Sequence, residues 1–199
     1  MMKKIIFGVI IAATILAACK SNKSTESQNK STKTEAIKQT DNATITTSSV
    51  ADAKNAVSIK EIVNTYLQLK NALTKDNATD AATAGKTLET AFKNFNKTAL
   101  TATQKKTFED VEDDAREHAE HIGENGGNIA HQREHFEILS KDIYDLLKAF
   151  GSEQVLYKVF CPMYNDGKGA FWLSETKEIN NPYLGKAMPT CGTVMEELK

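Results

Sequence analysis

Sulfur is scarce in this chain, with three cysteines and five methionines in 199 residues. Met1 and Met2 belong to the start and Cys19 lies ahead of the folded part, so the sulfur of the folded part is Cys161, Met163, Met188 and Cys191, with Met195 just beyond. Catalytic signatures are also lacking. There is no Cys-x-x-Cys redox pair, no His-Glu-x-x-His zinc-protease motif and no Glu-x-x-His pair of the ferritin-like di-iron kind. No Ser/His/Asp or Cys/His triad can be assembled from spacing, so an enzyme is not expected. Basic excess is missing too: 25 Lys and Arg face 26 Asp and Glu, a net charge of −1. No basic patch stands out, which argues against a nucleic-acid partner. The chain has no repeat of solenoid period.

The first long apolar run, Ile5 to Leu16, is too short for a membrane span. Lys3 and Lys4 precede it and Leu16-Ala17-Ala18-Cys19 follows, the pattern of a secretory signal over 1–18. The ending resembles a bacterial lipobox, which implies cleavage before Cys19 and lipidation of its sulfur. Several acyl chains would anchor the protein stably, at roughly 0.8 kcal/mol per buried methylene. Residues 19–55 are rich in Ser, Thr, Lys, Asn and Gln, and from Lys20 to Asn55 there is no aromatic residue. Such a segment is expected to be a disordered tether with a reach of about 30–36 Å. The expected location is the periplasm, on the outer rather than the inner membrane.

Residues 56–199 read as one mainly α domain. Ser58 and Glu61 suggest a capping box with a Val57–Ile62 staple, and Ile59, Ile62, Val63, Tyr66, Leu69 and Leu73 recur at helical spacing. Asp76-Asn77 interrupts, and a second helix from about Ala78 to Phe95 turns Leu88, Phe92 and Phe95 inward. Thr101 and Gln104 offer another box ahead of Phe108, Val111, Ala115, His118 and Ile122. Gly126-Gly127 turns the chain, Asn128 can cap, and Ile129, Phe136, Leu139, Ile143, Leu146, Leu147 and Phe150 form a fourth stripe ended by Gly151. Short connections predict an antiparallel up-down four-helix bundle. Val155–Phe160 and Ala170–Leu173 then predict a β-hairpin around Asn165–Gly169, and Asn180–Gly185 a tight turn, together an irregular tail laid on the bundle.

On a strand, Cys161 and Met163 would share a face, while Met188 and Cys191 are three apart and suit one tight turn. Brought together, these four would make a soft-metal site for Cu(I) or Ag(I), shielded by Trp172. The same cysteines could instead form a disulfide in an oxidising compartment, or the methionines could simply fill a small core. A second cluster is possible, because His118, His121, His131 and His135 are the only histidines. Spacings of three and four put each pair on one side of its helix, and the Gly126-Gly127 turn sets His121 opposite His131 and His118 opposite His135. Glu117, Glu120, Glu124 and Glu134 surround them. This is either a solvated polar helix end, with His118 a core histidine, or a Zn or Cu(II) site of two or three imidazoles.

Several stretches together resemble a known family. They are Phe136-Glu137-x-Leu139-Ser140, Tyr157-x-x-Phe160-Cys161-Pro162-Met163, Gly169-Ala170-Phe171-Trp172-Leu173 and Asn181-Pro182-Tyr183-x-Gly185-x-x-Met188-x-x-Cys191-Gly192. The family is DUF3347, a domain of periplasmic proteins that also occurs attached to adaptor subunits of copper/silver efflux systems. Leu184 stands where that pattern usually has Tyr or Phe. The resemblance implies soft-metal binding, and with the leader and the sulfur spacing it gives the expectation of a lipid-anchored periplasmic protein that binds Cu(I) or Ag(I) through Cys161, Met163, Met188 and Cys191, and buffers it or hands it to an efflux adaptor. The competing expectation is a structural or interaction module whose tail is pinned by a Cys161–Cys191 disulfide.

Overall fold

The computed structural model describes residues 57–199. The signal, Cys19 and the tether lie outside the described residues. Four helices come first: α1 (Lys60–Thr74), α2 (Ala78–Lys93), α3 (Ala102–Glu124) and α4 (Ile129–Phe150). Each buries the stripe that its sequence period predicts. Tyr66, Leu69 and Leu73 of α1, Leu88 and Phe92 of α2, Phe108, Ala115 and Ile122 of α3, and Phe136, Leu139, Ile143 and Leu146 of α4 are fully buried. Among the described residues no helix is long and apolar enough to cross a membrane.

The helix starts follow from local side chains in three cases of four. Asn77 accepts from Asp80 N at the head of α2, and Asn128 from His131 N at the head of α4. Thr101 and Gln104 form the full reciprocal capping box of α3. The box expected at Ser58 and Glu61 does not form: α1 starts after Ile59 with no side chain on its cap. Ser58 accepts from Lys60 N and donates its hydroxyl to Glu153, beyond the end of α4. That tertiary partner displaces the local one.

α2 and α3 approach closely because Gly85 faces Gly123. A Cβ on Gly85 would lie 2.8 Å from both Ala119 O and Gly123 N. The small residues Ala81, Ala82, Ala84, Ala115 and Ala119 extend this contact. It brings the C-terminal end of α3, which carries His118 and His121, firmly against the bundle.

The tail is a three-stranded antiparallel sheet rather than a hairpin alone. Strand β1 (Leu156–Cys161) lies between β2 (Ala170–Ser174) and β3 (Thr193–Leu198). Val159 pairs with Trp172 and Cys161 with Ala170, while β3 joins the other edge of β1 across a bulge at Lys158 and Val159. The chain reverses between β1 and β2 with Asn165 and Asp166 at positive φ, followed by Gly167 and Gly169. A buried hydroxyl helps bind the sheet to the bundle. Tyr66 OH accepts from Leu173 N at 3.1 Å and lies 2.8 Å from Ser140 Oγ, joining α1, α4 and β2.

Two further joints hold the segment between β2 and β3. Asn181 bends it: its Oδ1 accepts from Tyr183 N and Leu184 N, and its Nδ2 donates to Cys191 O. A disulfide links Cys161, at the buried end of β1, to Cys191, with the two Cα atoms 5.6 Å apart. The cross-link closes a loop with a sequence separation of 30. On the chain-entropy account it contributes about 3–4 kcal/mol. The Cys161→Ser/Cys191→Ser variant is therefore expected to lose about that much stability in urea-unfolding measurements under non-reducing conditions. Adding reductant should lower the parent to the same level.

Candidate metal centre

Helices α3 and α4 run antiparallel, and the seam between them is polar over its distal half. Asp114, His118 and His121 stand at i, i+4 and i+7 on α3, and His131, His135 and Asp142 follow the same period on α4. The short turn through Gly126 and Gly127 places the two rows at matching heights. All four imidazoles meet there. The rings of His118 and His135 are 5.0 Å apart, those of His121 and His135 are stacked at 4.5 Å, and His131 stands edge-on to His135 at 4.5 Å.

Nitrogens from His121, His131 and His135 lie within 4.8 Å of one another, with all three rings half-buried. In one pair, His135 Nε2 is 3.2 Å from His131 Nε2. Two imidazoles on one tetrahedral ion, with bonds of about 2.0–2.1 Å, put their nitrogens roughly 3.3 Å apart. That pair has the spacing of one such edge, and imidazole is a preferred ligand of Zn(II) and Cu(II). His118 sits deeper, with its Nδ1 2.7 Å from His135 Nδ1 and its Nε2 3.4 Å from Asp114 Oδ1.

Burial, reinforced by the neighbouring His118, His121 and His131, holds His135 down at about 4. The ring therefore stays neutral near pH 7 and keeps a lone pair to offer. Asp142 is displaced the other way. Its side chain is buried and its Oδ2 has no partner, and burial followed by the charges of Asp114 and Asp145 pushes its carboxyl up to about 7. Asp114 and Asp142 were not among the residues that spacing singled out. The available signal was a carboxylate on a stripe that is otherwise apolar or imidazole-bearing.

The sulfur residues are arranged differently from the four-ligand expectation. Cys161 and Cys191 are joined to each other, so neither offers a thiolate. Strand β1 ends at Cys161, and Met163 lies in the turn beyond it, not on the same strand face. Met163 is 59% exposed and Met188 is 43% exposed. The tight turn expected at Met188 is present, with Cys191 N donating to Met188 O. Trp172 is fully buried and packs edge-on to Tyr183, and the space beside it leaves no room for a side chain at Gly192.

A cavity of about 260 Å³ opens at the opposite end of the bundle, between Ile59, Val63, Leu147 and Phe150. It shares no residue with the histidine cluster.

The Asp142 proton gives a test of the seam. A carboxyl whose folded pKa is raised to about 7 favours folding below its unfolded value near 3.9, and that contribution is lost as pH rises through 7. Asp142→Asn removes this dependence. Its stability relative to the parent is expected to improve from pH 4 to pH 7.5, by about 1–3 kcal/mol in chemical denaturation. A difference that stays flat over this range would show that Asp142 does not hold the proton.

Comparison with known proteins places the helices and not the tail. Residues 62–155 match DUF3347, described as a protein of unknown function. The matched stretch runs from the first turn of α1 to the residue before β1. It includes every histidine and stops short of Cys161 and Cys191. No curated protein and no solved structure matches the chain. The four-helix segment that builds the imidazole cluster is thus the part of the chain that is similar to the DUF3347 family.

Proposed function

We propose that this protein is a metal-binding domain of the cell envelope, with its centre at His121, His131 and His135. The observation that carries this reading is the convergence of three imidazole nitrogens within 4.8 Å on two antiparallel helices. Zn(II) or Cu(II) suits such a set. The reading is one of binding and buffering. The signal-like start and the Leu16-Ala17-Ala18-Cys19 ending support a lipid anchor at Cys19, which would hold the domain at a membrane within reach of an efflux adaptor.

The sulfur residues support a structural role for the tail better than a Cu(I) or Ag(I) site. A cystine does not bind as thiolate, and the two thioethers of the expected set are exposed rather than gathered around it. In this reading the disulfide pins β1 to the β2–β3 connection, and the helical seam carries the metal.

Titration of the full chain, in detergent, with Zn(II) or Cu(II) against a chromophoric chelator tests the assignment. One ion per chain is expected. The His131→Ala/His135→Ala variant should lose more affinity than the roughly 10–100-fold typical of losing an outer-shell partner. The Cys161→Ser/Cys191→Ser variant should bind as the parent does. Binding that survives in the histidine variant and disappears in the cysteine variant would move the site to the tail.

A further inference from the structure

We propose that the residues preceding Val57, from Val50 to Ala56, cover the open end of the bundle, with Val50 and Ala53 seated in the cavity between α1 and α4. That cavity shares no residue with the histidine cluster, so the proposal stands apart from the metal reading.

The cavity surrounds the point where the chain enters the bundle. Val57 and Ser58 line the space of about 260 Å³ between Val63 of α1 and Leu147 and Phe150 of α4. The same two residues line a second hollow of about 170 Å³ between the start of α1 and the end of α2, beside Ala91 and Phe95. A chain spans at most about 3.6 Å per residue, so the seven residues from Val50 to Ala56 stay within about 25 Å of this end. Ser58 sets the direction of entry. Its Oγ accepts from Lys60 N and its hydroxyl donates to Glu153 beyond α4, which holds the chain on the α4 side of α1 and therefore beside the larger space.

The sequence changes character at the same place. From Lys20 to Ser49 only Ala36, Ile37, Ala43 and Ile45 are apolar, four residues in thirty. From Val50 to Ala56 the apolar residues are Val50, Ala51, Ala53 and Ala56, four in seven. Val50 and Ala53 stand seven and four positions before Val57, the spacing that keeps side chains on one side of a helix. The floor of the cavity is Ile59, Val63, Leu147 and Phe150, apolar surface that gains by leaving water. Charge agrees with this seating. Lys60, Glu153 and Lys199 stand at the rim, and Asp52 and Lys54 flank Ala53 in the segment. A segment joined to Val57 is present at high effective concentration, an advantage that neither a second copy nor a free apolar ligand has. The chain is thereby fastened at the end of the bundle away from the imidazoles, and an anchor at Cys19 would hold the histidine end outward.

Methyl NMR on the full chain in detergent tests the seating. Nuclear Overhauser contacts from the Val50 methyls to those of Val63 and Leu147 are expected in the parent. Val50→Asp should abolish them and lower the thermal midpoint by about 3–8 °C. Val50→Ile should keep both the contacts and the midpoint, and Thr44→Asp, in the polar stretch, should leave the midpoint unchanged. Contacts of Val63 and Leu147 with detergent chains, or with a differently labelled second copy, in place of Val50 would give the cavity to another occupant and overturn the proposal. A midpoint that falls equally in Val50→Asp and Thr44→Asp, or moves in neither, would overturn it as well. Zn(II) binding is expected to be the same in Val50→Asp as in the parent, so the outcome is readable whether or not the metal centre stands.

Discussion

The register between α3 and α4 depends on one buried amide. Gln132 is fully buried, and its Nε2 donates to Ile122 O at 3.1 Å and to Ala78 O at 2.9 Å. The first bond ties the start of α4 to the end of α3, and the second ties it to the first residue of α2. Sliding α4 by one residue would leave this amide unpaired in the interior, at a cost of about 1–3 kcal/mol. Gln132 sits between His131 and Arg133, so the bond that holds the helix also holds the imidazole cluster. An imidazole cluster divided between two helices has no covalent guarantee of its geometry. The stitch supplies that guarantee here, and the close Gly85–Gly123 approach of α2 to α3 supports it from behind.

The other face of α4 is held from the tail. Arg133 Nε donates to Pro182 O at 2.8 Å, and Nη2 donates to Leu73 O and to Asp76, whose carboxyl is held below the usual range chiefly by that bond. Lys186 N donates to the other oxygen of Asp76. Gly185 has φ +52, and a Cβ there would lie 1.9 Å from Asp76 Oδ1, so the approach admits only glycine. One guanidinium thereby joins the α1–α2 turn, α4 and the tail within two residues of His131 and His135. The disulfide acts on the same segment from its far end. The tail, although it contributes no imidazole, is a clamp on the helix that carries two of them.

What could be read from the sequence follows the range of the interaction concerned. The helices were legible because burial repeats every three to four residues, and the caps at Thr101 and Asn128 because capping is local. Ser58 misled for the opposite reason: its partner, Glu153, is remote in sequence. Strand β3 was not legible because Thr193–Leu198 is an edge strand with Glu196 and Glu197 in it, held by backbone pairing to β1 more than by an apolar face. The meeting of the histidines was legible from a short turn between two periodic helices, which fixes height without any knowledge of packing. The roles within the cluster were not. They depend on which nitrogen faces which carboxylate, and ring orientation leaves no periodic trace. Spacing could not choose between cystine and thiolate ligands either, since both readings use the same two residues at the same separation.

Charge explains why the two kinds of site divide as they do. The α3–α4 seam is acidic at its margin, where Asp114, Glu117 and Glu134 approach the imidazoles, and it is kept from further charging inside. His135 gives up its proton and Asp142 keeps one, both because burial disfavours the charged form. The seam thus presents the neutral His135 ring inside and carboxylates at its margin. The tail presents the opposite conditions. Cys161 is fully buried and Cys191 is partly buried against the core, where a covalent bond between the two cysteines buries no charge at all. An ion brought to the same place would have to be neutralised by thiolates formed against that burial. The imidazole seam is therefore the part of this fold where burial sets the charge, and the cystine is the part that keeps the scaffold closed around it.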